Sequence, residues 1–274
     1  MPKLLQFILY IHIMKIVIIG TGNVANVLGR KIKAAGHTIL QVISRNIDHA
    51  YTLADMLGAG SNNYFSAVRP DADIYIIAVS DEAIPEIAAQ LLIDNGIVVH
   101  TAGAVSKNVL ERSARSFGVL YPLQSLSAQR ESIPEIPFLI DGNTEETMLR
   151  IEQFALTLSG RVQYADDEMR QKIHAGAVMT NNFTNFLYTL TNEFCKKENI
   201  DFKLLLPLLT ETVQRLQYND PPLLQTGPAR RGDMVTIQKH LSILENYPVL
   251  HRLYQEFSQL IIDYYGKYNK ESIV

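Results

Sequence analysis

The stretch that decides the fold is Met14–Ala25, which reads MKIVIIGTGNVA. Its apolar first half predicts a buried parallel strand over Lys15–Ile19. The second half has the pattern G-x-G-x-x-A, which joins such a strand to a helix in dinucleotide-binding domains. We expect the glycines to allow a tight turn and close approach to a pyrophosphate at the helix N-terminus. The candidate contacts are Gly20, Thr21, Gly22, Asn23, Val24 and Ala25; the alternative is an ordinary turn without a ligand.

Short apolar runs alternate with helical patterns through residue 165, which predicts an α/β domain with a Rossmann-type, doubly wound, mostly parallel sheet. The predicted strands are Lys15–Ile19, Thr38–Ser44, Asp73–Ala78, Gly96–Thr101, Gly118–Tyr121, Phe138–Asp141 and Arg161–Tyr164. The predicted helices are Asn23–Ala35, Asp48–Leu57, Glu82–Leu92, Ser106–Ala114 and Thr144–Leu158.

The strand patterns stop after Asp166, and an all-helical C-terminal domain is predicted over residues 166–274. Its helices are expected at Asp166–Lys197, Phe202–Tyr218, Met234–Ser242 and Pro248–Tyr265. Four or five helices make a thin core, and Phe183–Leu209 carries more large apolar side chains than one buried face needs. We therefore expect a homodimer built on this domain.

Composition excludes several classes of protein. Of 274 residues, 47% are apolar and 19% are charged, which excludes a disordered chain. Twenty-five basic against 28 acidic side chains argue against nucleic acid as the partner. The single cysteine, Cys195, excludes a disulfide framework and is expected to be a buried helical residue. The seven histidines show no zinc-binding spacing, so we expect no metal. A chain with one cysteine suits a reducing compartment, so we expect a cytoplasmic protein.

The N-terminus carries the apolar run Leu4–Ile13, which is too short for a membrane helix and lacks a signal-peptide cleavage pattern. We therefore expect no membrane partner. A start at Met14 would suit the strand that follows, so residues 1–13 are interpreted as an upstream extension. An ordered extra strand or arm is the alternative.

The end of the second strand discriminates between nicotinamide cofactors. Gln41–Asn46 lacks the acidic residue that binds the ribose of NAD. Ser44 and Arg45 stand where the 2′-phosphate of NADP would lie, and a guanidinium suits a phosphate. The sequence therefore predicts NADP or NADPH as the cofactor. A solvated surface arginine is the alternative.

Two further strand ends are expected to face the same crevice, because ligands bind at the carboxyl ends of the strands in such sheets. Small residues there leave room for the nicotinamide half, and we predict cofactor contacts at Val79, Ser80, Thr101, Ala102 and Gly103. His100 is either a substrate contact or a core histidine bonded to the backbone.

These motifs together resemble a known family. GTGNVA, SRN, AVSDEAI, HTAGA, YPLQSLS, IHAGAVMTNNFTNFL and TGPARRGD run from residue 20 to residue 233. The assembly resembles bacterial Rossmann-type NADP oxidoreductases that carry a helical C-terminal domain of unknown function. Their layout is similar to that of pyrroline-5-carboxylate reductase and the β-hydroxyacid dehydrogenases. The resemblance implies the fold, the cofactor and a dimer, but no substrate.

One departure matters for catalysis. β-Hydroxyacid dehydrogenases carry a catalytic lysine, with an asparagine one turn later, on the first helix of the second domain. Here Lys172 is followed four residues later by Gly176, so no catalytic lysine is expected.

The long helix offers a substitute. At about 100° per residue, His174, Asn181 and Asn185 share one stripe, with Asn182 on its flank. We predict His174 as general acid/base because imidazole titrates near neutrality, with Asn182 and Asn185 in the catalytic site and Asn181 binding substrate. Hydrogen bonds to neighbouring helices or backbone are the alternative role for each asparagine.

Two other segments supply candidate substrate contacts. In the predicted loop Leu224–Asp233, Arg230 or Arg231 would hold an anionic group and Asp233 would fix an arginine or merely cap a helix. The segment after the fifth strand offers Tyr121, Gln124 and Ser125, which line the substrate face or simply join the two domains.

Two functions remain open at this stage. The first is an NADP-dependent oxidoreductase that transfers hydride between the nicotinamide and a small polar, anionic carbonyl, alcohol or imine. The second is a non-catalytic NADP-binding sensor or scaffold, which the missing lysine favours and the His–Asn stripe disfavours.

Overall fold

The computed structural model describes residues 13–271. The proposed extension therefore lies outside the described residues, except for Ile13. The chain forms two compact units, Met1–Asn181 and Asn182–Val274. The first unit extends beyond residue 165, because it includes the start of the long helix that follows the sheet.

The N-terminal unit is an α/β unit with one eight-stranded sheet. Its strands are β1 (Lys15–Ile19), β2 (Thr38–Ile43), β3 (Gly60–Asn62), β4 (Ile74–Ile77), β5 (Ile93–His100), β6 (Ala114–Pro122), β7 (Phe138–Gly142) and β8 (Val162–Tyr164). Its helices are α1 (Asn23–Ala34), α2 (Ile47–Leu57), α3 (Ile84–Gln90), α4 (Glu145–Leu158) and α5 (Asp167–Ala177).

The strand order is β3-β2-β1-β4-β5-β6-β7-β8. Strands β1 to β6 are parallel, β7 runs antiparallel to β6, and β8 is parallel to β7. The chain winds outward from β1 to β3 and then returns to place β4 on the other side of β1. This topology confirms the predicted doubly wound sheet, and it opens a crevice between β1 and β4 at their carboxyl ends.

The sheet is buried on both faces, which explains its continuous apolar strands. Ile16 and Ile18 face the layer that contains α1 and α4, while Val17 and Ile19 face the layer that contains α3. All four side chains are fully buried or nearly so. The strand that leads to the glycine turn is therefore held rigidly from both sides.

Three differences from the predicted elements have local causes. The predicted helix Ser106–Ala114 is wrong: only Lys107–Leu110 forms a 3-10 turn, because Ala114 already belongs to β6. The short edge strand β3 was not predicted, since Gly60–Asn62 lacks apolar residues. The first turn of the predicted helix Glu82–Leu92 is a 3-10 turn, Asp81–Ala83, that precedes α3.

The C-terminal unit is helical. It contains α6 (Thr184–Lys197), a 3-10 turn (Phe202–Leu205), α7 (Leu206–Arg215), α8 (Pro221–Leu224), α9 (Pro228–Arg231), α10 (Met234–Ile243) and α11 (Pro248–Glu271). Among its described side chains, few are buried; they include Cys195, Ala229, Ile237 and Tyr265. The burial of Cys195 in α6 matches its predicted structural role.

The long helix predicted over Asp166–Lys197 begins at Asp167 and changes its hydrogen-bond pattern midway. Between α5 and α6, residues Val178–Phe183 form a π-helical turn. Asp166 caps the N-terminus by accepting a 2.8 Å hydrogen bond from the Met169 backbone N–H. π turns are uncommon in proteins, and those that occur often lie at functional sites.

No helix within residues 13–271 is both long enough and apolar enough to cross a membrane. Among the same residues, no cluster of three or more histidine, cysteine, aspartate or glutamate side chains is placed to hold a metal ion.

Candidate functional site

A cavity of about 380 Å³ lies at the carboxyl ends of β1 and β4, at the predicted crevice. It collects most of the predicted cofactor contacts in one place. Those lining the cavity are Gly20, Thr21, Gly22, Asn23, Val24, Ser44, Arg45, Val79 and Ser80. Ala25 does not line it. Its side chain is fully buried between α1 and the sheet, where a small residue allows the helix to pack closely on the strand.

The two glycines of the turn have different roles. Gly20 has φ +119°, and a Cβ there would lie 2.0 Å from the Ala78 carbonyl oxygen, so only glycine fits. Gly22 has φ −72°, and a Cβ there would have no protein atom within 4 Å. Gly22 is therefore not required for folding. Its missing side chain leaves space that a ligand can enter.

The N-terminus of α1 is open to an anion. Gly22 is its N-cap, so no side chain caps the helix, and no acidic residue lies in its first turn. The helices α2, α4 and α5 are capped by the side chains of Asn46, Thr144 and Asp166. The backbone N–H groups and the positive end of the α1 dipole thus remain available to a phosphate.

The side of the cavity formed by β2 carries the predicted NADP selectivity. Arg45 is the charged residue among those lining the cavity, and no acidic side chain lines it within the described chain. The hydroxyl oxygens of Ser44 and Thr21 lie 3.4 Å apart. An arginine and a serine without a carboxylate fit a 2′-phosphate better than a free ribose diol.

Six cavity-lining residues were not predicted as contacts. Ile19, Ile43 and Ala78 lie at the ends of predicted strands, whereas Phe65, Ala83 and Ile87 add apolar surface from other segments. Phe65 belongs to a 3-10 turn, Phe65–Ala67, outside every predicted element, so only the fold brings it to the cavity. Apolar surface of this kind suits a flat aromatic base.

A second cluster lies at the carboxyl ends of β5 and β6, on the same edge of the sheet. The Tyr121 hydroxyl and His174 Nδ1 are 2.9 Å apart and hydrogen-bonded, and the two rings meet edge to face. Both rings close over Gly103, where a Cβ would lie 2.8 Å from the His174 ring and 3.0 Å from Tyr121. Glycine at this position therefore allows the two side chains to meet.

The other residues after β5 hold this turn in shape. Thr101 and Ala102 are buried and do not line the 380 Å³ cavity. The Thr101 hydroxyl donates to the Ile77 carbonyl oxygen at 3.4 Å. Thr101 and Ala102 therefore stabilise the turn that leads to Gly103 and do not form part of the cavity wall.

His100 takes the structural alternative rather than the predicted substrate contact. It is fully buried, and its Nδ1 accepts a 3.2 Å hydrogen bond from the Ala102 backbone N–H. Burial, and after it the positive charge of Arg170, lower the pKa of His100 to about 4. His100 is therefore neutral at physiological pH and shapes the turn that ends at Gly103.

The pKa of Tyr121 is raised, first by burial and then by the negative charge of Asp81, whereas Arg170 acts in the opposite direction. The phenol therefore stays protonated at neutral pH. A protonated hydroxyl in contact with an imidazole can pass a proton in either direction.

The segment after β6 crosses the N-terminus of α1. Ala128 N–H donates a 3.0 Å hydrogen bond to Asn23 Oδ1, and Arg30 donates a 2.9 Å bond to the Arg130 carbonyl oxygen. Gln124 uses its amide inside this segment, donating to the Glu135 carbonyl oxygen and accepting from Ser125 N–H. In this conformation Gln124 and Ser125 thus brace the segment, and Asn23 anchors it.

The asparagine stripe needs a correction. His174 is half-buried on α5, but Asn181 and Asn182 lie in the π turn and Asn185 follows it. The predicted stripe assumed 100° per residue, and the wider π turn changes that phase. The three asparagines are exposed within their own units.

The predicted loop Leu224–Asp233 contains α9, so it is not a simple loop. Arg230 lies over the Tyr265 ring at 4.5 Å from its centroid, and Arg231 is exposed. Asp233 caps α10 by accepting from Thr236 N–H at 3.0 Å and from the Thr236 hydroxyl at 2.7 Å. Those hydrogen bonds lower the pKa of Asp233. The capping role, which was the alternative prediction, is the one observed.

Lys172 is exposed and forms an ion pair with Glu168 one turn earlier.

Two family models match this chain. Residues 15–103 match the family described as NADP oxidoreductase coenzyme F420-dependent, and residues 136–261 match a domain of unknown function, DUF2520. The search of curated proteins found no sequence that matches this chain.

Solved structures cover nearly the whole chain. The crystal structure titled "putative NADP oxidoreductase BF3122" from Bacteroides fragilis is 38% identical, with a TM-score of 0.86, over 92% of this chain and 99% of that chain. Pyrroline-5-carboxylate reductase from Streptococcus pyogenes is 13% identical, with a TM-score of 0.63, over 91% and 98% of the two chains.

An imine reductase from Myxococcus stipitatus, solved with NADP+, is 13% identical, with a TM-score of 0.61, over 94% of each chain. At this identity it shares the fold, as does the pyrroline-5-carboxylate reductase. The relation to the Bacteroides protein is much stronger, and the cavity at β1 and β4 fits the same cofactor. The chain therefore belongs to the NADP oxidoreductase family in which a Rossmann-type domain precedes the helical DUF2520 domain.

Proposed function

We propose that this protein is an NADPH-dependent reductase of a small polar, anionic carbonyl or imine compound. The observation that carries the proposal is the Tyr121–His174 hydrogen bond of 2.9 Å, at the same sheet edge as the cofactor cavity. Strands β4, β5 and β6 are neighbours and parallel, so their carboxyl ends lie side by side. A proton donor there stands in the position where a substrate would meet the nicotinamide.

The residues present fit NADP. The uncapped N-terminus of α1 and the open space at Gly22 suit a pyrophosphate, and Ser44 and Arg45 suit the 2′-phosphate. When bound, NADPH supplies the hydride. The protein then has to orient the substrate and deliver one proton.

The proton comes from the Tyr121–His174 pair. The Tyr121 hydroxyl donates its proton to the substrate oxygen or nitrogen as negative charge develops there. His174 returns a proton to Tyr121 through Nδ1 and is reprotonated from solvent. His174 is assigned this work because its Nδ1 contacts the Tyr121 hydroxyl directly.

Substrate orientation is assigned to amides and cations. Asn182 and Asn185 remain candidates for binding the reacting carbonyl or imine, and Asn181 for binding the rest of the substrate. Arg230 and Arg231 remain candidates for an anionic group, since a guanidinium binds carboxylate in a bidentate manner. Reductions in structurally similar proteins concern pyrroline-5-carboxylate and imines, which supports a substrate of this class.

The proposal includes a cytoplasmic homodimer formed through the helical unit. Large apolar side chains of that unit are exposed, including Phe183, Phe186, Leu204 and Leu208. Exposed apolar surface on this scale marks an association surface. Phe186→Asp should yield a monomer by light scattering at micromolar concentration, whereas Leu92→Asp, at a still more exposed position in the other unit, should leave the dimer intact. A native protein that is monomeric would contradict this.

The test of the enzyme is a screen of small keto acids, cyclic imines and hydroxy acids for NADPH oxidation or NADP reduction. With the best compound, His174→Gln and Tyr121→Phe should each lower kcat by about 10²-fold while NADPH affinity is kept. Lys172→Gln, on the exposed side of the same helix, serves as the control and should retain turnover. Native turnover in His174→Gln would refute the assigned role.

A non-catalytic NADP-binding sensor is the second candidate. It is favoured by the exposed Lys172, paired with Glu168, and by Gly176 in the position where related dehydrogenases carry asparagine. Tight NADPH binding together with no turnover in the whole screen would favour the sensor over the enzyme.

A further inference from the structure

Arg170 is a fully buried arginine in a helix whose other residues are at least partly exposed. It is the buried residue of α5 and one of the largest side chains in the unit that is completely hidden from solvent. Burying a guanidinium costs several kcal/mol, and even a well-paired buried charge seldom stabilises a protein more than an apolar side chain. Its presence therefore calls for a reason other than stability.

The partners of Arg170 join the start of α5 to the segment after β5. Arg170 Nη2 donates to the Val105 carbonyl oxygen at 2.5 Å and to Asp167 Oδ1 at 2.7 Å. Asp167 also accepts from the Ser106 hydroxyl and from Lys107 N–H. Burial alone would raise the pKa of Asp167, but these hydrogen bonds lower it, so Asp167 stays charged.

The segment after β5 also contains Gly103, the residue against which Tyr121 and His174 pack. Gly103, on which His174 and Tyr121 close, lies two residues before Val105. Arg170 precedes His174 by four residues, which places both on one face of α5. The clamp at Val105 and the contact at Gly103 thus fix the helix to the segment at two successive turns.

The positive charge of Arg170 also lowers the pKa of His100. His100 Nδ1 must be unprotonated to accept from Ala102 N–H, the bond that shapes the turn before Gly103. Arg170 and Asp167, both from α5, are the charged groups that act on His100, in opposite directions. Among the described residues, His100 Nε2 and Arg170 Nε and Nη1 are buried without a hydrogen-bond partner.

We propose that Arg170 is a positioning residue: it clamps α5 to the segment after β5, so that Gly103 holds His174 against Tyr121. Its buried positive charge also opposes protonation of His100. The inference rests on the proposed function only in that the Tyr121–His174 pair is the proton donor. Asp81 and Arg170 are the charges that act on Tyr121 itself. Arg170 need not contact the substrate.

The test follows the histidine ring signals by NMR in the full-length protein, without cofactor or substrate, with His100→Gln and His174→Gln used for assignment. Arg170→Met should raise the pKa of His100 by about one unit. At pH 5 the protonated fraction of His100 then rises from about one tenth to about one half. Asp167→Asn should lower that fraction, because the opposing charge is removed. Lys172→Met, an exposed cation on the same helix, is the control and should leave it unchanged.

A merely structural loosening would hydrate His100 and raise its pKa in both variants, so opposite shifts separate the electrostatic role from it. The clamp is tested by Tyr121→Phe, which should move the His174 ring signal in the native protein and no longer do so in the Arg170→Met background. Arg170→Met leaves Asp167 with two other donors, so folding is expected. Should it fail to fold, Asp167→Asn decides, since the asparagine oxygen can still accept from Lys107 N–H and its amide nitrogen can donate to the Ser106 hydroxyl.

An unchanged protonated fraction of His100 in these variants would overturn the electrostatic role. A His174 signal that still responds to Tyr121→Phe after Arg170→Met would overturn the clamp. Neither measurement requires turnover, so a protein that shows both shifts but reduces no compound refutes the proposed function and not this inference.

Discussion

The two glycines of the GTG turn offer a direct test of cofactor binding, because alanine should have opposite effects at the two positions. At Gly22, φ is −72° and an added Cβ meets no protein atom within 4 Å. Gly22→Ala should therefore leave the free energy of unfolding unchanged or raise it by about 0.5 kcal/mol. The new methyl group occupies the space that a pyrophosphate needs. The Kd for NADPH should rise about 10- to 100-fold, a loss of about 1.4 to 2.7 kcal/mol.

Gly20→Ala should instead damage the fold. Its φ of +119° costs a non-glycine residue about 1–3 kcal/mol, and its Cβ would lie 2.0 Å from the Ala78 carbonyl oxygen, so the backbone must move. A total above about 3 kcal/mol corresponds to a fall in Tm of about 6–12 °C. Thermal unfolding and NADPH fluorescence titration measure both effects. Native affinity in Gly22→Ala, or a native Tm in Gly20→Ala, would refute the roles assigned to this turn.

Three further variants test the neighbouring contacts. The native protein should bind NADPH more tightly than NADH, and Arg45→Ala should remove most of that preference; equal native affinities in a cofactor titration would contradict it. Gly103→Ala should part the two rings, because its Cβ would lie 2.8 Å from His174 and 3.0 Å from Tyr121, so turnover should fall at least tenfold with NADPH affinity kept. The free energy of unfolding should fall by about 3 kcal/mol as the pH drops from 6.5 to 4, because the pKa of His100 is about 4 when folded and 6.5 when unfolded, so the unfolded chain binds the proton first. Urea unfolding at several pH values should show a smaller loss in His100→Gln, and an equal loss would contradict the assignment.

The sequence predicted the cofactor half of the molecule well because its signals are local. The strand, the glycine turn and the helix start follow one another within Met14–Ala25, so the pattern of each one supports the prediction of the next. Ser44 and Arg45 lie directly after a strand, and parallel strands end at the same edge. Topology alone therefore brings these residues to one cavity.

The candidate site around Tyr121 and His174 depends on contacts between distant segments, and there the sequence was less informative. Arg170 was missed because a charged residue in a polar helix is expected to face solvent, and its partner Val105 lies far away in sequence. The π turn was also missed, since no residue pattern distinguishes it from a regular α-helix. Tyr121 and His174 were each chosen, but their pairing could not be predicted without knowing that Gly103 lets both rings approach.

The antiparallel direction of β7 determines where the segment that joins it to β6 lies. Because β7 runs antiparallel to β6, the chain leaves β6 and enters β7 at the same edge of the sheet. The segment 123–137 between them begins and ends beside the candidate site. Asn23 and Arg30 hold the segment through the backbone N–H of residue 128 and the backbone carbonyl of residue 130, and every residue other than proline offers both groups. The side chains of this segment can therefore change while its two contacts with α1, beside the cofactor cavity, are kept.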